Sequence, residues 1–146
     1  MFGFTMAYPY SRLSAEVALY VMGWEVIARP QTKSGGSLPI WVDDHGGFHE
    51  GPEGYAMNVQ SGMKVLEKLQ EEGWQYKISD NGISEETKNE PVWLQNHDHV
   101  CYLEKDEKDS IEGHGISIER AICDASLKTR KDIDLTREPW NEVDRD

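Results

Sequence analysis

Residues 58–77 read NVQSGMKVLEKLQEEGWQYK and hold a helix, its stop and the start of a strand. Val59, Met63, Leu66 and Leu69 fall at i, i+4, i+7 and i+10, which makes one apolar stripe, and Lys64, Glu67, Lys68 and Glu71 face away from it. Gly73 supplies the left-handed residue at which a helix stops. Trp74, Tyr76 and Ile78 then alternate with polar residues, as in a half-buried strand. An apolar helix face and an alternating strand must each be covered, so the rest of the chain is expected to pack on the helix and extend the strand into a sheet.

Toward the N-terminus, Ser11 is placed to cap a first helix with Leu13, Val17, Tyr20 and Val21 on one side and Gly23 at its end. Residues 1–10 carry Phe2, Phe4, Tyr8 and Tyr10, and Pro9 stops a helix from running through them. An edge strand, an arm for another subunit and a poorly ordered start all fit this segment. From residue 28 to residue 54, Pro and Gly interrupt nearly every step, leaving only residues 38–43 as a short strand with Trp41 opposite Ile40 and Val42.

Toward the C-terminus, residues 74–79, 91–96 and 100–104 read as strands. A tight hairpin is expected at His97, Asp98 and His99, and a solvated acidic loop at residues 104–112. Ser117 opens a last helix that buries Ile118, Ala121, Ile122 and Ala125, with Lys128, Arg130 and Lys131 at its C-terminal end. These elements predict an α+β fold in one domain over residues 1–146: a small antiparallel sheet of three to four strands packed with three helices. A Gly/Pro-rich loop separates the first and central helices, the core spans residues 11–131, and residues 132–146 form a charged tail.

The 146 residues include 27 acidic and 15 basic side chains, for a formal net charge of -12. Such a balance disfavours duplex nucleic acid, which demands many phosphate contacts, although one or two local arginines still suffice for a small anion. Cys101 and Cys123 lack the spacing and density of a disulfide scaffold, which suits a reducing compartment. The first residues lack a charged leader before an apolar core, and no apolar run approaches the ~20 residues of a spanning helix. A cytoplasmic protein that engages no membrane is expected.

Three pieces of the chain carry a resemblance: VMGW at residues 21–24, VQSGMKVLEKL at residues 59–69 followed by a Gly-Trp turn, and AICDASLK at residues 121–128. Together they resemble the signature segments of the phage ABA sandwich domain family, small phage and prophage proteins with two helices, a small antiparallel sheet and a final alanine-rich helix. The matching positions are packing residues, so the resemblance implies a fold and a phage origin and carries over no catalytic residue.

Nothing in the chain matches a P-loop, a GxGxxG fingerprint or a GxSxG elbow, so neither an enzyme nor a cofactor is expected. His97, Asp98, His99 and Cys101 are metal-ligand types without HExxH or paired CxxC spacing. A polar hairpin tip explains them equally well, and no metal is assigned. The Gly-rich loop mixes aromatic, cationic and imidazole groups that suit a small polar molecule. The expected function is sequestration, without catalysis, of a small nucleotide-derived ligand such as a host immune second messenger. Arg29, Trp41, His45, Phe48, His49, Trp93 and Arg120 are its candidate contacts, with bases stacking on aromatics and phosphates meeting arginines. The alternative is an acidic protein that binds a basic host protein or occupies its site as a nucleic-acid mimic. The N-terminal aromatics favour a homodimer or larger homo-oligomer.

Overall fold

A computed structural model describes residues 11–27 and 39–141. The expectations placed on residues 1–10, Arg29 and the end of the tail lie outside them. The fold is α+β, with three helices and two antiparallel sheets of three strands each.

Helix α1 (Arg12–Tyr20) starts where Ser11 accepts a hydrogen bond from the Ser14 amide at 3.0 Å, and Gly23 leaves it with φ +81°. The chain then enters the smaller sheet, in which β2 (Ile40–Val42) lies between β1 (Glu25–Ile27) and β3 (Phe48–His49). Helix α2 (Val59–Glu71) is capped by Asn58 and closes at Gly73, φ +98°, where the Trp74 amide reaches back to the Leu69 carbonyl.

The second sheet runs β4 (Gln75–Ile83), β5 (His97–Lys105), β6 (Asp109–Gly115), and α3 (Ile118–Lys128) lies across β5 and β6. That approach needs glycine in β6. A Cβ on Gly113 would stand 2.2 Å from the Ala125 amide nitrogen, and one on Gly115 would stand 2.6 Å from that of Ala121. Helix α3 also meets α1 and α2, so a single core gathers Val17, Trp41, Val65, Leu66, Leu69, Cys101, Leu103, Ile122 and Trp140. Arg130, just past α3, ties the layers together. Its guanidinium grips Glu72 at 2.7 and 2.8 Å and donates to the Tyr20 carbonyl at 3.0 Å.

The structure corrects several expectations. On α2 the buried face is Ser61, Gly62, Val65, Leu66 and Leu69, while Val59 and Met63 are exposed. Gly62 is the cause: a Cβ there would lie 3.0 Å from that of Glu119, so α3 approaches over the glycine and turns the helix away from the expected stripe. Residues 91–96 are not a strand. They hold a 3-10 turn (Val92–Leu94), while His97, Asp98 and His99 belong to β5 rather than to a hairpin tip. The acidic residues 104–112 are no loop either. They build the β5–β6 hairpin, turned at Asp106 and Glu107 with φ +55° and +59°. The core also extends past residue 131, because Trp140 is fully buried with its ring centroid 6.1 Å from that of Trp41.

Candidate functional site

Two surface features gather residues suited to recognition. The first is an open groove of about 860 Å3 between the β2–β3 turn, residues 51–55 and the polar face of α2. Lys64, Glu67, Lys68 and Glu71 recur at i, i+3, i+4 and i+7 and so line one side together. Opposite them, Asp43 organises the turn. It accepts from the amides of His45 and Gly47 at 2.9 and 2.8 Å and from His49 Nε2 at 2.7 Å. These donors, the His49 imidazole first, hold the Asp43 carboxyl down at about 2.

The groove floor is aromatic but covered. The Trp24 indole N–H donates to the Tyr55 hydroxyl at 3.0 Å, and the His49 ring lies 5.0 Å from Trp24 between centroids. Burial pushes the Tyr55 phenol up to about 12, so it stays protonated as a donor. Glu53 is engaged by Lys64 at 2.8 Å. Five carboxylates line the groove against two ammonium groups, an excess of three negative charges with the imidazoles neutral.

The second feature is the β4–β5 connection, residues 84–96, which is fixed by its own hydrogen bonds. The Ser84 amide donates to Asn96 O at 2.7 Å across the neck, and the Asn96 amide donates to Thr87 Oγ1 at 2.9 Å. Inside the loop, Gln95 Nε2 holds the carbonyls of Lys88 and Glu90 at 3.2 and 3.0 Å. Pro91 leads into the 3-10 turn, closed by the Leu94 amide on the Pro91 carbonyl at 2.8 Å. On it Val92, Trp93 and Leu94 are 79%, 81% and 53% exposed, with Ile83 also exposed at the neck. Glu85, Glu86 and Glu90 belong to the same loop, and its one cation, Lys88, pairs with Glu85 at 2.7 Å.

The six ligand-contact candidates that lie among the described residues do not converge. His45 and His49 line the groove. Trp41 is 0% exposed, so it is core rather than the wall of a pocket. Phe48 is exposed, on the face of the small sheet opposite His49. Trp93 stands on the 3-10 turn rather than in a strand hairpin, and Arg120 lies at the N-terminal end of α3 beside Ala56 and Met57. Trp24 and Tyr55 were legible as aromatics, but only the fold brings them together beneath the groove.

Among the described residues, no three His, Cys, Asp or Glu side chains are grouped to hold a metal. His97 instead donates through Nδ1 to Asp80 at 3.0 Å, and burial raises the Cys101 and Cys123 thiols to about 11 and about 12, which keeps them from acting as thiolates. No described helix is long and apolar enough to cross a membrane. Comparison of the chain with family models, with curated proteins and with solved structures found no match.

Proposed function

We propose that the protein is an acidic binding module that docks on a protein partner through the Trp93 turn. The observation that carries this is a tryptophan 81% exposed between two exposed aliphatic residues, on a loop held rigid by its own hydrogen bonds. Single exposed apolar residues need no explanation, but an ordered cluster with an aromatic tip has the character of an interface hot spot. A preformed loop also loses little conformational freedom on binding. The net charge of -12 and the glutamates around the turn select a partner with an apolar pocket rimmed by Lys and Arg, and oppose the approach of a second copy of this chain. With the phage family resemblance, that partner is a bacterial host protein and the outcome is inhibition by occupancy.

Capture of a nucleotide-derived ligand has less support. Its contacts among the described residues are dispersed, and the groove that holds two of them carries excess negative charge, which repels phosphates.

The test is a photo-crosslinking residue at Val92, used in bacterial lysate and followed by affinity measurement on the purified partner. One basic-rimmed protein is expected, with affinity falling about thirtyfold or more in Trp93→Ala, as for a hot-spot loss of ~2 kcal/mol. Crosslinks scattered over unrelated proteins, or equal affinity for Trp93→Ala, would remove the proposal. Recovery of an unmodified nucleotide from the heated protein would restore ligand sequestration.

A further inference from the structure

We infer that Asn81 and Gly82 form a self-modifying site, at which the Gly82 amide nitrogen displaces the Asn81 side-chain amide and leaves aspartate or isoaspartate at position 81. The reaction needs neither a partner nor a cofactor, and it stands apart from docking through Trp93.

The ladder between β4 and β5 is broken at this pair. Asp80 stands opposite His99 and Ile83 opposite His97, so Asn81 and Gly82 together face the single residue Asp98 as a bulge. Asn81 is exposed, Gly82 holds φ +88°, and a Cβ built on Gly82 would meet nothing within 4 Å. With no side chain on residue 82 and open space around it, little hinders its nitrogen from closing a succinimide ring on the Asn81 side chain.

The neighbouring groups fit that chemistry. The Gly82 N–H donates to Asp80 Oδ1 at 2.8 Å, which is the reach of a general base. The Gly82 amide first, and then His97 through Nδ1 at 3.0 Å, hold the Asp80 carboxyl below its ordinary range, so it is ionised at neutral pH. On the other side the Ser79 hydroxyl donates to Asn81 Oδ1 at 3.1 Å, where it polarises the amide and faces the oxyanion that forms there. Nucleophile, base, electrophile and oxyanion donor thus all lie within residues 79–82.

As the Gly82 nitrogen bonds to Asn81 Cγ, its proton passes to Asp80, so no free amide anion has to form. The oxyanion then collapses, the Cγ–Nδ2 bond breaks, and the departing nitrogen takes the proton back from Asp80 and leaves as ammonia. Water opens the succinimide: addition at the side-chain carbonyl gives aspartate, and addition at the main-chain carbonyl of residue 81 gives isoaspartate. Either product places a new negative charge near the neck of the loop at residues 84–96. Isoaspartate also adds a main-chain carbon shortly before Ser84, whose amide closes that neck on Asn96 O at 2.7 Å.

The test follows residue 81 by peptide mapping and mass spectrometry, in the native chain and in the chain unfolded by urea at the same pH and temperature. Asparagine before glycine is labile in any flexible chain, so this comparison separates the geometry from the dipeptide. The native chain should react at least as fast as the unfolded one. Asp80→Ala should slow the native reaction about tenfold or more, and Ser79→Ala about threefold to tenfold, while both match the parent in urea. Amide chemical shifts should change in the β4 bulge and residues 84–96 as product accumulates. A slower reaction in the native parent than in urea, which needs no variant to measure, would show that the strand protects the pair and would overturn the inference. So would a native Asp80→Ala variant that reacts as fast as the parent.

Discussion

Trp41 and Trp93 stand in nearly the same local sequence, Pro39-Ile40-Trp41-Val42 and Pro91-Val92-Trp93-Leu94, yet one is 0% and the other 81% exposed. Each run looks like a short apolar strand. For residues 40–42 the strand forms because β1 and β3 lie on either side to pair with it, and Trp140 closes over the indole. For residues 91–96 there is no such neighbour among the described residues. The chain from Ser84 to Asn96 bonds to itself, and the segment curls into a 3-10 turn. A local pattern thus sets what a segment can become, and the availability of partners decides between a core plug and an exposed turn.

The comparison can be broken at several depths, and the largest effect is expected at the scaffold from which the Trp93 loop hangs. Gly113→Val would drive a side chain into the backbone of α3, where even a Cβ meets the Ala125 amide at 2.2 Å. Circular dichroism should show an unfolded chain, and a normal melt would mean that α3 does not lie on β6 as described. Next, Trp41→Ala empties a fully buried site beside Trp140 and should cost ~3–5 kcal/mol in denaturant unfolding. A cost under about 1 kcal/mol would make Trp41 as dispensable to the fold as a surface residue, and the contrast with Trp93 would vanish.

Arg130→Met should cost roughly 1–3 kcal/mol, since it removes the two bonds to Glu72 and a carbonyl contact while keeping the apolar stem. The same pair gives a pH dependence. The Arg130 guanidinium is the main cause holding Glu72 below its ordinary range, so folding gains stability above the unfolded carboxyl's pKa and loses it as pH falls through the lower folded value. Unfolding measured from neutral pH downward should show this loss in the parent, and a smaller one in Arg130→Met. The smallest stability effect belongs to Trp93→Ala, within about 0.5 kcal/mol of the parent in the same assay.

Much of the fold was legible wherever a local signal and its cap coincided. Ser11, Ser117 and Gly73 sit at the helix ends they announce, and the α+β class follows from the order of the elements. The acidic strand β6 was hidden because its polar residues mask the alternation that Ile111 and Gly113 supply. The two-residue β3 is too short to carry a period at all. The rotation of α2 depends on Gly62, whose effect comes from a helix more than 50 residues away in sequence. The site was less legible for a similar reason. Trp24, His49 and Tyr55 come from three separate segments, and nothing local in any of them indicates the others.

The central claim, that Trp93 serves binding rather than folding, is tested most directly by measuring partner affinity and thermal midpoint on one preparation of Trp93→Ala. The account predicts a midpoint within about 2 °C of the parent together with an affinity reduced about thirtyfold or more. A lowered midpoint with unchanged partner affinity would contradict it, and would place Trp93 with Trp41 among the residues that hold the fold.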